Sequence, residues 1–221
     1  MDRSFVAAEL HAGQPVHEWG VPLNEAHAVL ILLHGRGGSA QDMESLMDAV
    51  AGFGVAGLAP EARYNSWYPQ RFIAPLEANE PWLSSALEVV GGLVARAKAA
   101  NVPRERVIVL GFSQGACLAL EYAARNPARY GGVIGLSGGL IGPEGAPFDH
   151  PGDFAGAPVF LGVSDNDPHI PLGRVEESVA AFERMGAAVT ARLYPATGHQ
   201  VVADEIDFVR KLVLQVASTS R

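Results

Sequence analysis

Cysteine is nearly absent from this 221-residue chain, with Cys117 standing alone. A lone cysteine cannot close an internal disulfide and excludes a CxxC metal knuckle. Basic residues are also scarce, 16 against 24 acidic ones, for a formal charge of −8. That balance argues against nucleic acid or an anionic membrane as the main partner, since both call for a basic face. No apolar run approaches the roughly 20 residues of a membrane span, so no stable membrane insertion is expected. Met1-Asp2-Arg3-Ser4-Phe5 has neither the basic start nor the apolar stretch of an export leader. Apolar residues, in contrast, are plentiful: they make up 48% of the chain, and the mean hydropathy is +0.14. Such a chain buries a sizeable core, which excludes wholesale disorder. The expectation is a single cytoplasmic domain over residues 1–221, with a monomer and a homodimer left equally open.

No repeat or low-complexity tract divides the chain; short apolar runs alternate with segments of helical period. Ala28-Val29-Leu30-Ile31-Leu32-Leu33 is a continuous apolar run, as expected of a strand buried on both faces. Met43, Leu46, Met47 and Val50 then share one helix face, with Ser39 and Asp42 placed as a helix-start motif. Further strands are expected at 55–59, 107–110, 133–136, 159–163 and 189–193, the last with one wetter face. Helices are expected at about 80–100, where Leu83, Leu87, Val90 and Val94 form a stripe, and at 116–125. Two more are marked by Val175, Val179 and Phe182, and by Ile206, Val209, Val213 and Val216. A Gly/Pro-rich loop replaces the helix after 133–136. Before residue 25 the pattern suggests only one or two strands. Alternation of this kind predicts a three-layer α/β fold, a mostly parallel central sheet with helices on both faces.

Two pentapeptides match GxSxG, the strand–turn–helix elbow that presents a nucleophilic serine. Gly111-Phe112-Ser113-Gln114-Gly115 has an apolar strand before it and an alanine-rich helix after it. Gly135-Leu136-Ser137-Gly138-Gly139 is followed by more glycine and by Pro143, which cannot carry a helix. Ser113 is therefore the candidate nucleophile, and Ser137 reads as a strand-end turn residue.

A serine hydroxyl needs a base, usually a histidine oriented by a carboxylate. In hydrolases with this elbow the chain order is serine, acid, histidine. Of His150, His169 and His199, only His199 falls between the last strand and the last helix without crowding the acid candidates. Two acids, Asp165 and Asp167, follow the strand at 159–163, and position relative to the sheet does not choose between them. Asp165-Asn166 favours a turn capped by its own carboxylate. Pro168 pushes Asp167 towards an extended conformation, freer to reach another loop. An oxyanion hole is expected from backbone N–H groups of the loop His34-Gly35-Arg36-Gly37-Gly38 and of Gln114, the residue after the nucleophile. His34, ahead of the nucleophile in the chain, reads as a residue that holds this loop. A phosphate loop is excluded because GRGGS lacks the GK[ST] ending.

Together LLHGRGGS, Trp67-Tyr68-Pro69, GFSQGA, LSGG, DNDPHIP and TGH resemble the phospholipase/carboxylesterase branch of the α/β-hydrolases. That group includes bacterial carboxylesterases and acyl-protein thioesterases. The resemblance covers nearly the whole chain and implies an α/β-hydrolase fold with a minimal cap. It implies Ser113, Asp167 and His199 as triad, and the amides of Arg36 and Gln114 as oxyanion hole. It also implies hydrolysis of short- to medium-chain acyl esters, sometimes thioesters or lysophospholipids, without a cofactor. Arg36 is a departure, since thioesterase members usually carry a small or apolar residue there. The long 60–81 segment carries Tyr64, Trp67, Tyr68 and Phe72; loops of about 20 residues are usually functional. Trp67, Tyr68 and Phe72 are candidate lining for a substrate pocket, against the alternative that they cover the helix at 80–100.

Three rival readings carry less. Dienelactone hydrolases resemble one another in a cysteine nucleophile, whereas Cys117 lies a turn into the helix. A noncatalytic binding protein on the same scaffold has no call for serine, acid and histidine together. A metal-dependent hydrolase finds no HxxxH or HxH spacing. The expected partner is a small acyl ester.

Overall fold

The strongest apolar runs of the sequence form the middle of the sheet, where both faces are covered. The computed structural model describes residues 10–218; the 1–5 terminus, read above for a leader, lies outside them. The strands are β1 (Val16–Gly20), β2 (Ala28–Leu33), β3 (Val55–Pro60), β4 (Val107–Phe112), β5 (Gly132–Leu136), β6 (Pro158–Ser164) and β7 (Ala188–Tyr194). They form one seven-stranded sheet in the order β1-β3-β2-β4-β5-β6-β7. β1 is antiparallel to β3 and every other pairing is parallel. The helices are α1 (Glu44–Val50), α2 (Trp82–Ala99), α3 (Gln114–Arg125), α4 (Leu172–Arg184) and α5 (Ala203–Ser218). A turn of 3-10 helix, Ala40–Met43, leads into α1, opened by the expected Ser39–Asp42 capping box.

Strand alternation sorts the core into two layers. Val29, Ile31 and Leu33 of β2 join Val107 and Val109 of β4 against Leu83 and Val90 of α2, Leu118 of α3 and Phe182 of α4. Leu30, Leu32, Ile108 and Leu110 face the other way, onto Met47 of α1 and Val209 and Val213 of α5. Three layers result. The central strands β2, β4 and β5 are buried throughout apart from Phe112, while β7 at one edge is only half covered. Among the described residues no helix is long and apolar enough to cross a membrane.

Because β2 to β7 run parallel, their carboxyl ends share one edge of the sheet, where open α/β sheets place their sites. The segments that leave this edge are 34–38 after β2, Ser113 after β4, 165–171 after β6 and 195–202 after β7. One of these connections is as short as it can be, because α3 begins a single residue after β4. A Cβ on Gly115 would lie 2.1 Å from the Leu33 carbonyl oxygen, and one on Gly111 2.1 Å from that of Gly115. Both positions must therefore lack a side chain. Alanine favours a helix over glycine by about 1 kcal/mol, so any loss at Gly115 reports the clash. Gly115→Ala is expected to lose about 1–3 kcal/mol net in urea denaturation; an unchanged or raised midpoint would mean that α3 does not press on β2.

Candidate active site

Ser113 occupies the one-residue link with φ 54° and ψ −117°, a strained backbone for a residue with a side chain. Its N–H donates to Leu136 O at 2.9 Å, and its carbonyl accepts the Cys117 N–H at 3.0 Å. His199 Nε2 lies 2.8 Å from Ser113 Oγ, and His199 Nδ1 lies 2.7 Å from Asp167 Oδ2. The Asp167 carboxyl is fully buried and the imidazole largely so. Burial by itself would raise the Asp167 pKa. Hydrogen bonds from His199 and from the His169 and Ile170 N–H groups (2.8 and 3.1 Å to Oδ1) outweigh it and hold the carboxyl below the usual range. A charged Asp167 accepts from Nδ1–H, which leaves Nε2 as the acceptor facing Ser113 Oγ. The Phe112 ring lies 5.1 Å from the imidazole and the His169 ring 4.8 Å, edge-on.

Ser137 copies the backbone half of this arrangement. Its φ is 55° and its N–H donates to Gly162 O at 2.8 Å, one strand along from the Ser113 bond to Leu136. The residue is 2% exposed and no helix follows it. Strain alone therefore does not single out Ser113; the helix start and the histidine do.

Asp165 differs from the sequence reading. Its Oδ1 accepts the Ala196 N–H at 2.8 Å, in the histidine loop rather than in its own. Ser164 Oγ accepts the Thr197 and Gly198 N–H groups at 3.0 and 3.1 Å, and Asn166 Oδ1 accepts that of Gly198 at 2.9 Å. Three consecutive side chains at the end of β6 thus pin the loop that presents His199. Sequence reasoning passed over Ser164 and Asn166, whose signal was only an ordinary polar turn.

On the other side of Ser113, buried His34 accepts the Ala62 N–H at Nε2 (3.1 Å), so its Nδ1 donates to Gly35 O at 2.7 Å. Burial lowers its pKa, consistent with a neutral ring that holds the loop. The Arg36 and Gln114 side chains converge on one segment. Arg36 Nη1 donates to Ser66 Oγ (3.2 Å) and Pro69 O (2.9 Å), and Nη2 to Gln70 O (2.6 Å). Gln114 Oε1 accepts the Trp67 N–H at 3.0 Å and Nε2 donates to Tyr68 O at 2.8 Å. As the first residue of α3, Gln114 has a backbone N–H without an intrahelical acceptor.

A cavity of about 450 Å³ opens beside Ser113, lined among others by Tyr68, Phe72, Gln114, Ile170 and His199. Trp67, expected at this pocket, is not part of its wall. The ring is fully buried, donates from Nε1 to His34 O at 2.9 Å, and packs on His34 and His11 at 5.0 and 5.6 Å. Its bulk and its single donor are both spent beneath the loop. Tyr64 is 77% exposed and lies near Trp82 at the start of α2. Unforeseen supports are His11, whose ring bonds Trp67 O and the Arg63 N–H, and buried Asn79, which bonds Gln70 N–H and Arg71 O. Among the described residues no three His, Cys, Asp or Glu side chains are grouped to hold a metal ion.

A parallel sheet with this elbow and this order of serine, acid and histidine defines an α/β-hydrolase. The family model for phospholipase/carboxylesterase matches residues 20–216, and the chain belongs to that family of carboxylesterase and acyl-protein-thioesterase-type hydrolases. It is 44% identical to a phospholipase/carboxylesterase from Dyadobacter fermentans of known structure, with a TM-score of 0.88, covering 94% of this chain and 99% of that one. Acyl-protein thioesterase 1 of Gibberella zeae is 32% identical over 113 residues, 48% of either chain. Acyl-protein thioesterase 1 of Yarrowia lipolytica is 28% identical over 84% of this chain and 91% of its own length. The chain spans about half the length of several curated relatives that it matches.

The bonds from Ser164 carry a prediction of their own. Ser164→Ala removes one acceptor for two N–H groups and is expected to cost about 1–3 kcal/mol in urea denaturation. Faster amide exchange at Thr197 and Gly198 should accompany it; unchanged exchange there would show that the histidine loop is held by other bonds.

Proposed function

We propose that the protein is a serine carboxylesterase acting on short- to medium-chain acyl esters through an acyl-enzyme. The observation that carries this reading is the chain of hydrogen bonds Ser113–His199–Asp167 at the elbow. In this mechanism Ser113 Oγ attacks the ester carbonyl while His199 Nε2 takes its proton. Asp167 holds the imidazole by Nδ1 and stabilises its cation as it forms. The carbonyl oxygen becomes an oxyanion that accepts the backbone N–H groups of Arg36 and Gln114, the latter at the positive end of α3. Collapse of the tetrahedral intermediate expels the alkoxide, which takes the proton from His199 and leaves as the alcohol. Water, deprotonated by His199, then attacks the acyl-enzyme, and Ser113 departs with that proton. Tyr68 and Phe72 form part of the acyl-binding wall.

The relatives named as acyl-protein thioesterases support a second reading, thioester hydrolysis on the same residues. Lysophospholipid hydrolysis by the same triad is a further variant. We place the action in the cytoplasm, in a single domain over 1–221. The chain's net charge of −8 supports a small acyl ester, rather than nucleic acid, as the partner.

Ser113→Ala is expected to lower kcat by several orders of magnitude, leaving the residual rate supplied by binding and the oxyanion hole. Ser137→Ala should stay within about tenfold of wild type. A fluorophosphonate should add one mass, on Ser113; equal losses in the two variants, or labelling of Ser137, would overturn the assignment. Asp167→Asn should lose on the order of 10²–10⁴ in kcat with the fold intact. Asp165→Asn, which weakens the acceptor for the Ala196 N–H, should cost about 0.5–2 kcal/mol in thermal or urea melts and keep kcat within about tenfold. Reversed results would move the acid two residues back.

A further inference from the structure

The cavity beside Ser113 holds more hydrogen-bond donors than the proposed chemistry uses. Arg36 and Arg71 both line it, and no aspartate or glutamate does, although the chain carries a net charge of −8. Asp167, next to His199, is buried and committed to that imidazole and two backbone N–H groups. Among the described residues every hydrogen bond from these two guanidiniums goes to a neutral oxygen. Arg36 reaches Ser66 Oγ and the Pro69 and Gln70 carbonyls, and Arg71 Nη2 reaches only His169 O at a long 3.4 Å. Among the described residues neither guanidinium pairs with a carboxylate, and Arg71 has only the His169 carbonyl as a hydrogen-bond acceptor.

Tyr68 lies in the same wall. Tyr68 is 1% exposed, and its buried hydroxyl oxygen has no hydrogen-bond partner among the described residues. Its neighbour is the Cys117 thiol, pushed up to about 12 by burial and hence protonated; a thiol sulfur is a weak acceptor. The Arg36 guanidinium lies 5.9 Å from the centre of the Tyr68 ring. That hydroxyl has almost no accessible surface and lies against the thiol, so Tyr68 gives the cavity its ring and not its O–H. The backbone that carries these groups is fixed, since fully buried Asn79 bonds Gln70 N–H and Arg71 O, and Gln114 bonds Tyr68 O.

We propose that the natural ester carries a second, unreactive carboxylate, which Arg71 and Arg36 bind through charge. This rests on the serine esterase reading above and names its substrate class. An alkyl ester of equal length satisfies neither guanidinium. A carboxylate supplies an acceptor to each and pairs with guanidinium in the strongest hydrogen-bond class available to side chains.

The test uses matched esters followed by pH-stat. Monomethyl glutarate against methyl pentanoate places the carboxylate on the acyl side; O-acetylglycolate against propyl acetate places it on the alcohol side. In at least one pair the anionic ester should have the higher kcat/KM, by about tenfold or more at low salt. That preference should shrink as sodium chloride rises. Arg71→Met should bring the ratio down towards one. Turnover of the neutral esters at rates equal to or above the anionic ones in both pairs, with Ser113 still labelled by a fluorophosphonate, would overturn the carboxylate proposal alone. A ratio unchanged in Arg71→Met would also overturn it. Absence of both labelling and turnover would overturn the serine esterase reading, and the substrate class with it.

Discussion

Where α3 starts, helix and neighbouring strand touch backbone to backbone, because a Cβ on Gly115 would stand 2.1 Å from the Leu33 carbonyl oxygen. This approach allows the chain to turn from β4 into α3 through Ser113 alone. The cost is the positive φ of Ser113, met by burial of the flanking strands and by the bond from its N–H to Leu136. The same contact sets the Gln114 amide at the helix start, beside the loop that follows β2. The proposed nucleophile and both proposed oxyanion donors are therefore placed by one packing contact.

Arg36 and Gln114 link that contact to the cavity. The backbone of each faces the serine in the proposed mechanism, while the side chain of each is bonded to residues 66–70. A small residue at 36 would leave that segment to Gln114, His11 and Asn79. The guanidinium instead fixes the Pro69 and Gln70 carbonyls and brings a positive charge to the cavity wall. The departure of Arg36 from the thioesterase pattern thus has a structural use.

The sheet was largely legible because its central strands are continuous apolar runs, which periodicity cannot mistake for surface. β1 was expected only as one or two strands before residue 25, without bounds, since Val16–Gly20 includes His17 and Glu18 and pairs on one side only. Ser113 and His199 could be picked out because strand ends on one edge of a parallel sheet converge, and few residues at those ends are titratable or nucleophilic; position did not separate Asp167 from Asp165, and only the following Pro168 and the family resemblance favoured it. Trp67 could not be placed from composition. An aromatic loop residue faces in or out according to its partners, here His11 and His34, which lie 56 and 33 residues away in the chain. Asp165 was misread for the same reason: turn chemistry judges a carboxylate by its sequence neighbours, and its partner Ala196 belongs to another loop.

The two aspartates show how one short loop divides its work. Asp165, Ser164 and Asn166 accept N–H groups of the 196–198 segment, so the histidine loop is held by its backbone before His199 makes any bond of its own. The Asp167 carboxyl, two residues on, is committed elsewhere: its Oδ1 is satisfied by the His169 and Ile170 N–H groups, which leaves Oδ2 for the imidazole. A carboxylate bonded this way stays charged despite burial. The imidazole thus meets a fixed anion on one side and a fixed hydroxyl on the other, and the ordering of all three groups is met by folding instead of at each turnover. That is the condition under which a weak nucleophile such as serine becomes effective near neutral pH.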